Sequence, residues 1–260
     1  MNYGITYLEK KRALVSTLLE NHKIETVLDF GCGNGDAFLN FFSSKYTNIC
    51  FTGYDPDERN TSLLSELKGQ ARIAGSIDEL TDNKYDLILL TEVLEHVDHP
   101  ENLIRNLCGL LTNEGILFVT VPNGYGLNEW ISSFWSIFTQ FFARKPAIGN
   151  DRFTMSSSPH VNFFDLRELE AMFRNVGVEV TASGNVVYMH SAPFRRLSTN
   201  FDIFRRFNFS GLNRAPSQYA DDWFFVLKPR TLSPFQSEAV DRTGMVSRIR
   251  RMANVMRSRR

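Results

Sequence analysis

Cysteine is scarce in these 260 residues, and the three present, Cys32, Cys50 and Cys108, form no C-x-x-C pair. That excludes a disulfide-stapled scaffold and predicts reduced thiols in a cytosolic protein. Long apolar runs are missing as well. The densest apolar stretch, residues 130–142, falls short of the roughly 20 residues that span a bilayer. The N-terminus, M-N-Y-G-I-T-Y-L-E-K-K, has no apolar core of the kind a secretory signal needs. There is no internal repeat and no low-complexity tract, and the net charge is zero. That zero hides an asymmetry. Residues 230–260 hold eight arginines against Glu238 and Asp241, a net of +6, so residues 1–229 carry −6. Hydrophobic content of 43% and charge of 22% are those of a globular protein, and the length suffices for one full core.

What is present is centred on residues 27–38, V-L-D-F-G-C-G-N-G-D-A-F. The apolar run Ile24 to Phe30 reads as a buried parallel strand. It meets glycines at alternate positions, Gly31, Gly33 and Gly35, which permit backbone angles and a ligand approach that a side chain would block. A helix follows from Ala37. Strand, glycine turn and helix make the ligand-binding edge of an α/β, Rossmann-like doubly wound sheet. A dinucleotide fingerprint requires G-x-G-x-x-G, and the sixth position from Gly31 is Asp36, so that pattern fails.

The remaining elements follow in order. A helix over 5–21 is expected to turn Leu8, Ala13, Leu14, Leu18 and Leu19 inward. A second strand, Ile49 to Tyr54, ends at Asp55, which lies 20 positions after Gly35 and can accept ribose hydroxyls. A helix over 58–68 and a short strand over 71–74 precede Gly75-Ser76-Ile77-Asp78. Strand four, Tyr85 to Leu90, is nearly all apolar. Thr91-Glu92-Val93-Leu94-Glu95-His96-Val97 follows, then Pro100 opens a helix over 101–111. Asn113-Glu114-Gly115 turns the chain into strand five, Ile116 to Val121. Asp165 and Glu168 form a capping box for a helix that Gly177 closes. Val178 to Ala182 is the sixth strand and Asp222 to Leu227 the seventh.

The string D-x-G-x-G-x-G from Asp29 resembles the first motif of class I S-adenosylmethionine-dependent methyltransferases. E-V-L-E-H-V and the later G-I-L-F-V-T-V-P-N are similar to a group that includes ubiquinone-pathway O-methyltransferases and enzymes of glycan and small-metabolite methylation. The resemblance covers residues 22–125 well and 158–184 more loosely. It implies seven strands, mostly parallel, with an antiparallel last strand. It implies S-adenosylmethionine as cofactor, held by Asp29, Gly31, Cys32, Gly33, Gly35, Asp55, Ser76, Ile77 and Thr91, with the loop at Ser76 and Ile77 against the adenine. The domain would then be 1–229 with insertions at 126–157 and 186–220, followed by a basic tail, 230–260.

Methyl transfer from a sulfonium is catalysis by positioning, and a hydroxyl acceptor also has to lose a proton. Glu92, Glu95 and His96 are the catalytic candidates. On a helical turn they would share a face, and His96 is the candidate for general base because a histidine side chain suits proton transfer near neutral pH. Two other readings stand beside this one. Glu95 and His96 can simply tie neighbouring loops together. Alternatively Glu92, Glu95, His96 and His160 resemble the metal ligands of small-RNA 2′-O-methyltransferases, where a divalent metal orients ribose hydroxyls. The acceptor expected is a small-molecule, glycan or lipid-linked intermediate. A metal-dependent RNA 2′-O-methyltransferase is the alternative, and a cofactor-binding module without turnover is the third reading. Residues 130–142, rich in Trp and Phe, read either as a lid helix over the substrate cleft or as a helix lying in a membrane interface, and 245–260, with Met245, Ile249, Met252 and Met256 among arginines, either as a basic amphipathic helix suited to the inner face of a membrane or as a disordered basic end.

Overall fold

The computed structural model describes residues 7–62, 67–125, 161–188 and 215–230, with backbone alone for 61 and 62. The expected insertions at 126–157 and most of 186–220, and the tail, lie outside the described residues. So do His160 and both candidate helices, 130–142 and 245–260.

Seven strands form one sheet in the order β3-β2-β1-β4-β5-β7-β6. They are β1 (Thr26–Phe30), β2 (Cys50–Tyr54), β3 (Ala71–Ile73), β4 (Tyr85–Thr91), β5 (Leu111–Pro122), β6 (Val178–Val187) and β7 (Asp222–Pro229). Strands β1 to β5 pair in parallel, while β7 runs against both β5 and β6. The expected antiparallel last strand is therefore present. In β1 every residue after Thr26 is buried, and Leu87 to Leu90 of β4 are buried too. Near-continuous burial is what strands covered on both faces require.

Helices α1 (Tyr7–Asn21) and α2 (Leu39–Lys45) cover one face through Val15, Leu19, Leu39 and Phe42. The other face receives α4 (Ile77–Thr81), α5 (Pro100–Cys108) and α6 (Leu166–Asn175), with Leu80, Leu103, Ile104, Leu107, Leu169 and Phe173 in its core. Short α3 (Glu58–Ser62) follows β2. The capping box on α6 forms as expected. Asp165 Oδ1 accepts from the Glu168 amide at 2.8 Å, and Glu168 Oε2 accepts from the Asp165 amide at 3.2 Å. Gly177 takes φ +79 just beyond the helix, which closes it in the way only glycine does readily.

Several elements differ from expectation: the helix expected over 101–111 ends at Cys108 because Leu111 already pairs with Tyr85 in the sheet, and the helix expected over 58–68 does not include residues 67 and 68. Pairing jumps from Leu111 to Ile116 on β5 while β4 advances from Tyr85 to Leu87, so the turn at Asn113–Gly115 is an irregularity within one long strand. Strand β6 runs to Val187 because β7 supplies partners as far as Asp222, which shortens the expected second insertion. On α1 the buried face carries Lys10 and Lys11 with Val15 and Leu19, and Ala13 is exposed. The reason lies in what the lysines meet.

Candidate active site

Parallel pairing brings the carboxyl ends of β1, β2 and β4 to one edge. The turn after β1 is fastened there, because the amides of Gly31 and Cys32 both donate to the Tyr54 carbonyl, at 2.7 and 3.1 Å. Gly31, Gly33 and Gly35 all have positive φ, at 80°, 58° and 74°. A Cβ on Gly31 would sit 2.6 Å from Val93 Cγ2, so the turn packs directly on the loop after β4. A Cβ on Gly33 would meet nothing within 4 Å. Gly33 therefore borders open space, as a backbone that cradles a ligand must.

Asp55 is buried at the end of β2. Its Oδ2 accepts from the Gly33 amide at 2.9 Å, and its Oδ1 accepts from the Asp57 amide at 2.8 Å and from Asn60 Nδ2 at 3.1 Å. The carboxylate is thus locked beside the glycine turn. Asp29 is buried beneath it, with Oδ2 lacking any hydrogen-bond partner. Burial, reinforced by Asp55, pushes the Asp29 carboxyl up to about 7, against the opposing pull of the Leu39 amide. Burial likewise raises the Cys32 thiol, which makes it a packing residue and no nucleophile. Ser76 stands at the N-cap of α4 without a side-chain capping bond, and Thr91 is half-buried at the end of β4. Ile77 is in the core with Tyr54, Ala74 and Leu80, beneath its loop.

The loop after β4 does not turn as one helix. Glu92 has φ +55, the one non-glycine residue with positive φ among the described residues. A separate 3₁₀ turn, Leu94–His96, follows. Glu92 is therefore not on a shared helical face with Glu95 and His96. Glu95 is 1% exposed and His96 9%, and His96 Nε2 lies 3.9 Å from Glu95 Oε1. The backbone carbonyl of Glu95 accepts from the Val161 amide at 2.7 Å and the Asn162 amide at 3.1 Å. Asn162 Nδ2 also donates to the Leu94 and Val97 carbonyls. The turn thus ties two loops together as well as carrying its acid and its histidine.

Glu92 points toward α1 and β7. Lys11 Nζ lies 2.8 Å from Glu92 Oε1 and 3.0 Å from Asp222 Oδ2. Tyr7 Oη donates to Glu92 Oε2 at 3.2 Å and also bonds Asp222 Oδ2, and Thr120 Oγ1 donates to Glu92 Oε1 at 2.9 Å. Side chains of Lys11 and Asp222 are 3% exposed, while Glu92 keeps 36%. Lys11 meets Glu92 and Asp222 directly, with Glu95 and Lys10 acting electrostatically on the cluster, and the proton arrangement follows. Burial works against ionised Glu92, but Lys11 and the bonds from Thr120 and Tyr7 outweigh it and hold Glu92 low. Burial also opposes the Lys11 charge, and Asp222 and Glu92 more than offset it. Asp222 is pushed up to about 8, by burial first and then by Glu92, with Lys11 pulling the other way. Glu95 is raised well above the carboxylate range, again by burial and then Glu92. Lys11 and Glu92 form the charged pair, while burial and Glu92 favour the protonated forms of Asp222 and Glu95.

Tyr7, Lys11 and Asp222 were not among the residues the sequence singled out. The available signal was the i, i+4 spacing of Tyr7 and Lys11, which puts both on one face of α1, and an acidic residue opening an otherwise apolar strand. Among the described residues, no group of three or more His, Cys, Asp or Glu is arranged to hold a metal ion. No helix among them is long and apolar enough to cross a membrane.

A glycine turn after β1, an acidic residue closing β2 and a seven-stranded sheet with β7 reversed define the class I S-adenosylmethionine-dependent methyltransferase superfamily. The chain belongs to the methyltransferase-domain family, whose model matches residues 4–183. It is 28% identical over 103 residues to (S)-tetrahydroprotoberberine N-methyltransferase of Eschscholzia californica, covering 36% of this chain and 29% of that protein. It is 29% identical over 121 residues to ubiquinone biosynthesis O-methyltransferase of Glaesserella parasuis serovar 5, covering 37% and 45%. The chain thus spans less than half the length of these two curated relatives. Among solved structures it is similar to plantazolicin methyltransferase BpumL, crystallised in complex with a pentazolic desmethylPZN analog and SAH, at 19% identity. That match covers 86% of this chain and 83% of that one with a TM-score of 0.52, a likeness of fold. The residues here fit S-adenosylmethionine: two carboxylates, one with a free buried oxygen, flank a glycine turn that borders open space.

Proposed function

We propose that this chain transfers the methyl group of S-adenosylmethionine to a hydroxyl of a small-molecule, glycan or lipid-linked acceptor. The observation that carries the reading is the buried pair Glu95 and His96, placed by the turn that ends β4, next to the strand bearing Asp29. The cofactor supplies a methyl carbon activated by its sulfonium. Asp55 takes the ribose hydroxyls and Asp29 faces the cationic side of the cofactor. Gly31 lets the turn lie against Val93, which brings the β4 loop to the reacting end. With the cofactor bound, His96 would accept the acceptor's hydroxyl proton as that oxygen takes the methyl group, and S-adenosylhomocysteine would be the leaving product. Glu95, held beside the imidazole, fixes its orientation. An alcohol needs such a proton acceptor more than an uncharged amine does, and this favours oxygen over nitrogen.

The test is release of S-adenosylhomocysteine across a panel of phenols, glycans, lipid-linked sugars, amines and RNA 3′ ends. Turnover is expected with hydroxyl acceptors. His96→Ala is expected to lower kcat by about 10²–10⁴-fold while leaving cofactor affinity unchanged. Turnover confined to amines, or an undiminished His96→Ala variant, contradicts the proposal.

A further inference from the structure

We propose that Lys11 is the resident cation of this site, its ammonium filling the place beside Glu92 and Asp222 that a divalent metal would otherwise take. The inference rests on the proposed function only for its effect on turnover, since cation occupancy can be measured without an acceptor.

The coordination around Lys11 is that of a bound cation. Its nitrogen meets Glu92 Oε1 at 2.8 Å, Asp222 Oδ2 at 3.0 Å and the Tyr7 hydroxyl. An ammonium has three donors, and here three oxygens receive them. A hard divalent ion in this position would recruit the same carboxylate and hydroxyl oxygens. Helix α1 delivers the nitrogen from the far side of the sheet edge. Tyr7 and Lys11 are one turn apart and converge on the same two carboxylates, and Val15 and Leu19 fasten the helix to the core.

Two further observations place this nitrogen at a working site. Glu92 holds the left-handed conformation, which is uncommon for a residue with a side chain and is kept only where surrounding contacts enforce it. Glu92 is also the member of the cluster that remains open, at 36% exposure, while Lys11 behind it is sealed. Lys11 and Tyr7 are therefore positioning residues. They hold both oxygens of the Glu92 carboxylate while its side chain stays 36% exposed. Two buried oxygens, Asp222 Oδ1 and Glu95 Oε2, have no hydrogen-bond partner. Without Lys11 the same volume holds an acidic set, Glu92 and Asp222 with Glu95 nearby, and Lys10 acts on Asp222.

The consequence is a gain of function in a variant. Lys11→Ala removes the ammonium and opens room for a hydrated ion among oxygen ligands. Manganese chloride titrated into the full chain by calorimetry is expected to show no site that depends on Glu92. Folded Lys11→Ala is expected to bind one Mn²⁺ with a dissociation constant of about 0.1–1 mM, the range of weak carboxylate sites. The added change Glu92→Gln should abolish that site. Lys11→Met, which keeps the packing of the stem, is the second variant, and thermal unfolding confirms that each is folded. A wild-type Mn²⁺ site lost in Glu92→Gln overturns the proposal, because a metal is then resident. So does a folded Lys11→Ala or Lys11→Met that takes up no Mn²⁺. Failure of methyl transfer with every acceptor would strike the proposed function and leave this titration unaffected.

Discussion

Asp222→Asn isolates the energetics of the buried cluster. The substitution keeps the shape of the side chain and an oxygen for Tyr7 and Lys11, but it cannot ionise. In the folded chain Asp222 releases its proton at about 8, against an ordinary value of 3.8. Between those values the folded chain holds a proton that the unfolded chain has released. Stability therefore falls as pH rises through that window. Each pH unit within it contributes about 1.4 kcal/mol for one proton, so between about pH 5 and pH 8 the wild type should lose about 3–4 kcal/mol from this group. Side-chain exposure of 3% leaves little solvent screening to reduce the figure. Asp29 shifts stability in the same direction in both proteins and cancels in the difference, whereas Glu95, raised first by burial and Glu92 and least by Asp222, cancels in its larger share. Urea unfolding followed by circular dichroism, at several pH values, gives that difference directly. Asp222→Asn should gain on the wild type steadily as pH rises. Parallel curves for the two proteins would refute the protonation pattern derived for the cluster.

Other expectations bear on the cofactor turn and the tail. Asp29, with its carboxyl at about 7, is increasingly protonated below that pH, so binding of the cationic cofactor should weaken by up to about tenfold for each pH unit of fall below 7, and Asp29→Asn should flatten that slope; calorimetry at several pH values decides it, and equal slopes count against the role of Asp29. Gly31→Ala combines a left-handed backbone with a contact of 2.6 Å to Val93 Cγ2, so it should destabilise by about 2–4 kcal/mol, relieved in part by Val93→Ala. Gly33→Ala meets open space and should lose only the backbone share, about 1–2 kcal/mol; denaturant midpoints showing equal losses would contradict the packing described. The tail, net +6 over 230–260, should hold the chain on anionic liposomes with about 1 kcal/mol per basic residue, released by salt. Equal sedimentation of the full chain and of a chain ending at Pro229 would show that the tail is not the anchor.

The fold was legible in the sequence because its signals are local. An apolar run before Gly31, an acidic residue after β2 and the Asp165–Glu168 capping box each name an element without reference to distant residues. The buried cluster was not legible, because its members lie far apart along the chain. A lysine on an amphipathic helix reads as solvated, and only β7 arriving beside β5 shows that Lys11 meets Asp222. For the same reason Ala13 was expected inward, although the lysine side of α1 is the buried side. The turn at Glu92 escaped because its left-handed backbone is imposed by contacts with Lys11, Tyr7 and Thr120, and Glu-Val-Leu-Glu-His carries no sign of them. Substrate choice was not legible, because the expected insertions at 126–157 and 186–220 carry none of the motifs that mark residues 22–125.

The central claim is that the edge formed by Gly31 to Gly35 and Asp55 holds S-adenosylmethionine. Calorimetry with S-adenosylhomocysteine tests it most directly. Binding of roughly 7–9 kcal/mol, in the micromolar range, is expected for the full chain. Asp55→Ala should weaken it by about 1–3 kcal/mol, as for loss of hydrogen bonds to a charged group. A folded wild-type chain with no measurable affinity for S-adenosylhomocysteine would contradict the account.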